Sequence, residues 1–277
     1  MSRLLQKKDE EKETKDDDFL NCESTDANLP DLGTDNIKIM WTPTPSRSTT
    51  KTKSNDDWWI DQVLELQREN HKNTIPSRDE ADSQGFVTVG HLKSDLKEMT
   101  KFCPQFLAVV VNENSDGNDE KKLPNDPQIY PKIIGYSLTV DKAAMIQTPS
   151  LEKLYKDFFD MMKTIVDANS NLTKCANTSS STSTTPSLCS IIANSSWVLG
   201  AQVCVAKGFR RKGILRRLYD AQVEQMAILG FPVVVTAVDK ANVPSLRAHE
   251  KAGFEVLETF PTGGRDNTGW YIIGRQN

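Results

Sequence analysis

Apolar residues along this chain follow two spacings, and the clearest switch between them lies between Trp197 and Leu229. Trp197, Val198, Leu199, Val203 and Val205 fall within one short, largely β-branched and aliphatic run, which predicts a strand. Beyond it, Leu215, Leu218, Tyr219, Val223, Met226 and Leu229 keep a three- and four-residue spacing, so they share one face of a helix running from Gly213 to Leu229. Gly230 followed by Pro232 stops that helix. Pro232 to Val238 is then a continuous apolar run, as expected of a parallel strand covered on both faces. Such a strand–helix–strand unit crosses over right-handed.

The same reading extends in both directions. Trp59, Ile60, Val63, Leu64 and Leu66 form a helical face opened by Asp56 or Asp57 as cap. His71 to Gln84 reads as a polar connection, and Gly85 to Val89 as a short β-prone stretch. Leu92, Leu96 and Met99 mark a second helix, halted before Pro104. Gln105–Val111 and Ile133–Val140 are strands joined by a long polar loop, Asn112 to Gln128. Leu151 to Val166 is a helix. Ser245 to Ala252 is a short helix, followed by strands at Gly253–Phe260 and Trp270–Ile273.

Composition divides this pattern into regions. Residues 1–56 are rich in Asp, Glu, Lys, Ser, Thr and Pro and read as a disordered polar tail; Trp41 within it is either a docking motif or a loosely packed residue. Residues 57–277 form the folded domain, with an insertion at 141–196 whose segment 169–190 is low-complexity Ser/Thr/Asn. The chain has 277 residues, a net charge of −4 and 37% hydrophobic residues, which gives no basic excess for nucleic acid. No run is long enough to span a membrane, and Met1 to Asp18 lacks an apolar signal core. Five cysteines are scattered without C-x-x-C spacing, and His71 and His91 lack metal-ligand spacing, so a reduced intracellular protein without a metal is expected.

Candidate chemistry gathers between the strand at Trp197–Val205 and its helix. Arg210-Arg211-Lys212-Gly213 places three cations and a glycine where the first helical amides lack intrahelical partners, a ready anion site. A second stretch, Asn242 to Phe254, follows one strand later. Together the two stretches resemble the GNAT superfamily of acyl-CoA-dependent N-acetyltransferases. Arg210 and Gly213 match the Arg/Gln-x-x-Gly-x-Gly/Ala loop. Asn242, Ser245, Gly253 and Phe254 match the Asn-x-x-Ala/Ser-x-x-x-Tyr-x-x-x-Gly-Phe helix, with His249 at the Tyr position.

The resemblance implies an α/β (α+β) fold: a mixed, mostly antiparallel central sheet with a splayed parallel pair, flanked by helices. It implies acetyl-CoA as acyl donor and an amine acceptor, a small molecule or a protein. Val203, Cys204 and Val205 would pair with pantetheine through backbone groups. Arg210, Arg211, Lys212, Gly213, Ile214 and Leu215 would hold the pyrophosphate through main-chain N–H, and Asn242 and Ser245 would meet pantetheine from the other wall. Leu215 departs from the usual Gly/Ala, and its place on the apolar face turns it toward the core.

His249 would protonate the leaving thiolate, since imidazole titrates near neutrality. Asp239 and Glu250 are the nearby carboxylates for a base, and each also reads as a surface or turn residue. Cys204 lies mid-strand without a His/Asp partner and reads as a buried thiol rather than a nucleophile. The expected activity is direct acetyl transfer in a ternary complex by a cytoplasmic or nuclear protein, monomeric or homodimeric, without nucleic acid or membrane partners. The alternative is a CoA-binding scaffold without turnover, motivated by His249 and by the absence of a carboxylate on the central strand.

Overall fold

A computed structural model describes residues 36–42, 57–111, 130–176, 187–261 and 268–277. The described strands form one seven-stranded sheet in the order β1-β2-β3-β4-β5-β7-β6. These are β1 (Ile37–Trp41), β2 (Phe106–Val110), β3 (Lys132–Val140), β4 (Trp197–Val205), β5 (Val233–Asp239), β6 (Glu255–Phe260) and β7 (Trp270–Gln276). Every neighbouring pair is antiparallel except β4 and β5. The sheet is thus mixed and mostly antiparallel with one parallel pair, as expected.

Strand alternation sorts side chains into two cores. Leu107, Val109, Tyr136, Leu138, Leu199, Val233 and Val235 face a layer built from α1 (Trp58–Asn70), α3 (Lys93–Thr100), α5 (Pro149–Ala176) and α6 (Leu188–Asn194). Phe106, Ala108, Ile134, Val198, Val205 and Val234 face α7 (Ile214–Ile228), with Ala252 and Phe254 closing the layer beyond α8 (Val243–Lys251). Val233, Val234 and Val235 are each fully buried, on alternate faces, because both sides of this central strand are covered.

The edge of the sheet differs from expectation. Ile37–Trp41 lies inside the segment read as a disordered tail, yet it pairs with β2 from Ile37↔Val110 to Trp41↔Phe106. Ile37 is buried against Phe106 and Ala108, and Trp41 tilts over Phe106. Five residues are too short a pattern to stand out from polar flanks. Residues 1–35 and 43–56 of the tail, residues 112–129, and 177–186 of the low-complexity segment lie outside the described residues. Part of that segment is helical: α5 continues to Ala176, and Ser187 caps α6 by accepting a hydrogen bond from Ser190 N at 3.3 Å.

Two further short helices appear. The polar connection contains α2 (Arg78–Gln84), capped by Ser77, and α4 (Lys142–Gln147) is capped by Asp141. Gly85 to Val89 forms no strand; Val87 makes one parallel bridge to His71.

Candidate functional site: the gap between the parallel strands

β4 and β5 are paired only from Trp197↔Val233 to Leu199↔Val235. From Gly200 onward β4 keeps β3 as its partner, and β5 keeps β7. The register of β3 jumps from Leu138↔Gln202 to Thr139↔Gly200, so Ala201 is an extra residue that bends β4 away from β5. A cleft of about 60 Å³ passes through the sheet at this point. Ala201, Gln202 and Val203 line one side and Thr236 to Asp239 the other. Phe86, Val87 and Thr88 close it on the α1 face, and Tyr219, Ser245 and His249 on the α7 face.

At the end of β4 the chain makes a 3-10 turn, Lys207–Phe209, and enters α7. Arg211 and Gly213 both adopt left-handed backbone, φ 63° and φ 74°. For Gly213 this costs little, and a Cβ there would meet no atom within 4 Å. Gly213, at the N-cap of α7, has no side chain to cap the first turn, and its carbonyl accepts from Arg217 N at 3.1 Å. The amides of Ile214 and Leu215 therefore point out of the helix mouth. The side chain of Ile214 is buried and that of Leu215 half-buried, both toward the α7 core.

Arg210 plays a different part from its neighbours. Its Nε donates to Val205 O at 3.0 Å and Nη1 to Gln84 O at 3.0 Å, while Nη2 donates to Asn70 Oδ1. Its amide closes the 3-10 turn on Lys207 O. Burial lowers the guanidinium pKa from its ordinary value. Arg210 therefore braces the turn against α1 and α2, and its own donors are spent inside the protein.

Asn242 is likewise internal. It caps α8, its Oδ1 accepting from Ser245 N at 3.3 Å, and its Nδ2 donates to Phe86 O at 2.8 Å. Gln202 makes a matching link, donating to Val89 O at 2.7 Å while accepting from Tyr136 OH at 2.6 Å. Two amides from opposite walls thus fix the Phe86–Val89 segment across the cleft.

His249 is 3% exposed, and both ring nitrogens are engaged. Nδ1 lies 2.7 Å from Ser245 O and Nε2 lies 2.7 Å from Tyr219 OH. A carbonyl can only accept, so Nδ1 carries the hydrogen and Nε2 accepts from the phenol. Burial pushes the imidazole down to about 4. The ring is neutral at pH 7, which departs from the expected thiolate-protonating role. Asp239 accepts from Ala241 N at 2.9 Å and from Thr268 Oγ1 at 3.2 Å, holding the turn after β5, and Glu250 is exposed. Cys204 faces the α1 core, and burial pushes its thiol up to about 12.

Sequence reasoning missed Tyr219, Gln202 and Phe86–Val89. Tyr219 falls on the apolar face of its helix, and the signal in the sequence is that a hydroxyl in such a stripe needs a buried partner.

Residues 189–254 match the sequence model of the acetyltransferase (GNAT) family. That segment is similar to the GNAT family. The chain is 31% identical over 78 residues to phosphinothricin N-acetyltransferase of Streptomyces viridochromogenes, a stretch covering 28% of this chain and 43% of that enzyme. The match thus spans less than half of that relative's length. Among solved structures, a mosquito arylalkylamine N-acetyltransferase like 5b aligns with TM-score 0.47 and 13% identity over 87% of this chain and 100% of that one. A chain of the NatC complex bound to Gag peptide and CoA aligns with TM-score 0.42 and 9% identity over 87% and 99%. The GNAT-matched segment contains β4, α7, β5 and α8, the four elements that build the cleft. No helix among the described residues is long and apolar enough to cross a membrane. No group of three or more metal-ligating side chains occurs among them.

Proposed function

We propose that this chain transfers the acetyl group of acetyl-CoA to an amine acceptor in a direct ternary complex. The observation that supports this reading is the edge of β4 that parts from β5 beyond Leu199, next to the mouth of α7, where the N-cap is Gly213. Pantetheine would lie along Ala201–Val205 as an added strand, and the diphosphate would sit on the amides of Arg211, Lys212, Gly213, Ile214 and Leu215. Arg210 and Asn242 would shape the walls rather than touch the ligand. The buried, weakly acidic Cys204 thiol supports direct attack by the amine over an acetyl-cysteine intermediate.

The acceptor would enter from the α1 face. A cavity of about 270 Å³ lies there between α1, α2 and the Lys207–Arg210 turn, with Glu69 and Glu80 on its wall. Lys207 and Arg210 line the same cavity, Lys207 pairing with Glu80 at 3.4 Å, so its wall carries charges of both signs.

A specific observation favours a second reading, a GNAT domain that binds CoA without turnover: His249 is neutral and internally bonded. The experiment measures melting temperature with acetyl-CoA and free thiol release across a panel of amines. Stabilisation with thiol release supports the transferase. Stabilisation without release for any amine supports the second reading, and no stabilisation at millimolar acetyl-CoA overturns both.

A further inference from the structure

Tyr219 lies in the second turn of α7, with its ring against Gly200 of β4, where a Cβ would stand 3.7 Å from its Cε1. Its other face meets Phe254 at 4.6 Å between centroids in an edge arrangement. These contacts fix the ring, and the hydroxyl has one rotor left. That rotor is set by His249, because Nδ1–H donates to Ser245 O and leaves Nε2 as an acceptor. The hydrogen bonds therefore run in one direction: Tyr219 O–H to Nε2, then Nδ1–H to a carbonyl. Donors point away from the cleft, and the lone pairs of the phenol oxygen are what remain for it. Both side chains line the cleft together with Ala201 and Val203.

Resting on the transferase reading above, we propose that Tyr219 is a catalytic residue and His249 its positioning partner, and that together they relay the proton from the attacking nitrogen to the departing sulfur. The neutral amine attacks the thioester carbonyl carbon, forming the C–N bond. In the adduct the phenol oxygen takes a proton from nitrogen as its own hydrogen passes to His249 Nε2. The C–S bond then breaks with its electron pair on sulfur. The proton returns from Nε2 through Tyr219 to the thiolate, giving amide and free thiol and restoring both side chains. One hydroxyl serves both ends because nitrogen and sulfur share a single carbon in the adduct. The desolvated imidazole gives its proton back readily, as a relay requires. This supplies a base in a cleft whose lining carboxylate, Asp239, accepts from Ala241 N and Thr268 Oγ1 in the turn after β5, and it has His249 take up a proton before giving it back.

Tyr219→Phe keeps the ring and removes the relay. The expected result is a fall in kcat of about 100-fold, the usual scale of general acid–base catalysis, with KM for acetyl-CoA and the acetyl-CoA-induced melting shift unchanged. His249→Gln offers Tyr219 an acceptor that cannot hold a proton, and a comparable loss of kcat is expected. A second readout is the nitrogen-15 spectrum of labelled histidine in the intact protein. It is expected to show His249 as the Nδ1–H form at neutral pH, with the Nε2 resonance moved in Tyr219→Phe. A kcat within threefold of wild type in Tyr219→Phe overturns the relay while leaving the transferase reading standing. An Nε2–H form in wild type overturns it even if Tyr219→Phe does not fold. Absence of both thiol release and acetyl-CoA stabilisation in wild type overturns the underlying reading instead.

Discussion

Placing a carboxylate at Gly213 separates the nucleotide cradle from everything else that turn does. Gly213 has φ 74°, and a Cβ there would meet no atom within 4 Å. Gly213→Ala therefore adds backbone strain without a clash, about 1 to 2 kcal/mol for an L-residue in left-handed backbone. For a domain of this size that lowers Tm by about 2 to 8 °C. Gly213→Asp carries the same strain, but an acidic group at the mouth of α7 gains about 0.5 to 1 kcal/mol from the helix amides and dipole. The unliganded Asp variant should therefore be at least as stable as the Ala variant.

With ligand the order reverses. A carboxylate about 5 Å from a bound diphosphate meets repulsion of about 1 to 3 kcal/mol per phosphate charge, depending on exposure. Two charges weaken binding at least tenfold. At acetyl-CoA one hundred times the wild-type Kd, linkage raises stability by about 2.7 kcal/mol in wild type and by about 1.4 kcal/mol or less in Gly213→Asp. Differential scanning fluorimetry of the three proteins, with and without acetyl-CoA, reads both numbers. An Asp variant whose ligand-induced shift equals that of the Ala variant would refute a diphosphate at this turn.

Three other outcomes follow from the same geometry. Arg210→Ala strips donors from Val205 O, Gln84 O and Asn70 Oδ1 and should destabilise by about 2 to 4 kcal/mol in urea unfolding; Arg210→Lys, a point charge, should not restore it. His91 and His249 are each pushed by burial from 6.5 to about 4. The unfolded chain then binds the extra proton between those values, so stability is complete above pH 6.5 and is lost as pH falls toward 4. The loss is about 2 kcal/mol per histidine at pH 5, and His91→Gln should flatten its share of the pH dependence. Cys204→Ala should retain acetyl transfer, and intact-mass spectra of wild type with acetyl-CoA alone should show no acetylated cysteine, as a thiol pushed up to about 12 predicts; an acetyl-Cys204 adduct would contradict the direct route.

The central half of the fold was legible because its pattern is strong and local. Trp197–Val205 and the valine run of β5 are long, apolar and bounded by glycine and proline, and they formed strands with nearly the expected limits. β1 was not legible because its signal lies in the partner: only Ile37 is buried, and the pairing with β2 joins residues far apart in sequence. α2 escaped because Arg78–Gln84 has almost no apolar face; its Ser77 cap and its packing against α8 hold it. At the site, the motifs located the right turn and the right helix, but not the division of labour within them. That division depends on which donors the tertiary structure consumes, and Arg210 reaches Asn70 across 140 positions of sequence.

This division explains how motif side chains can matter without touching a ligand. Arg210 and Asn242 both bond to the segment between α1 and α3, at Gln84 and Phe86, and Gln202 bonds to it at Val89. Six residues of that segment are thereby held against β4 on one side and α8 on the other, and they set the width of the gap. The contacts proposed for acetyl-CoA use main-chain groups of β4 and α7, which no substitution removes directly. Substitutions at Arg210 or Asn242 should therefore move stability and binding together, Gly213→Asp should move binding with little cost to the free protein, and Tyr219→Phe should move turnover without moving acetyl-CoA binding. A protein in which these three effects could not be separated would not be built as walls, cradle and relay.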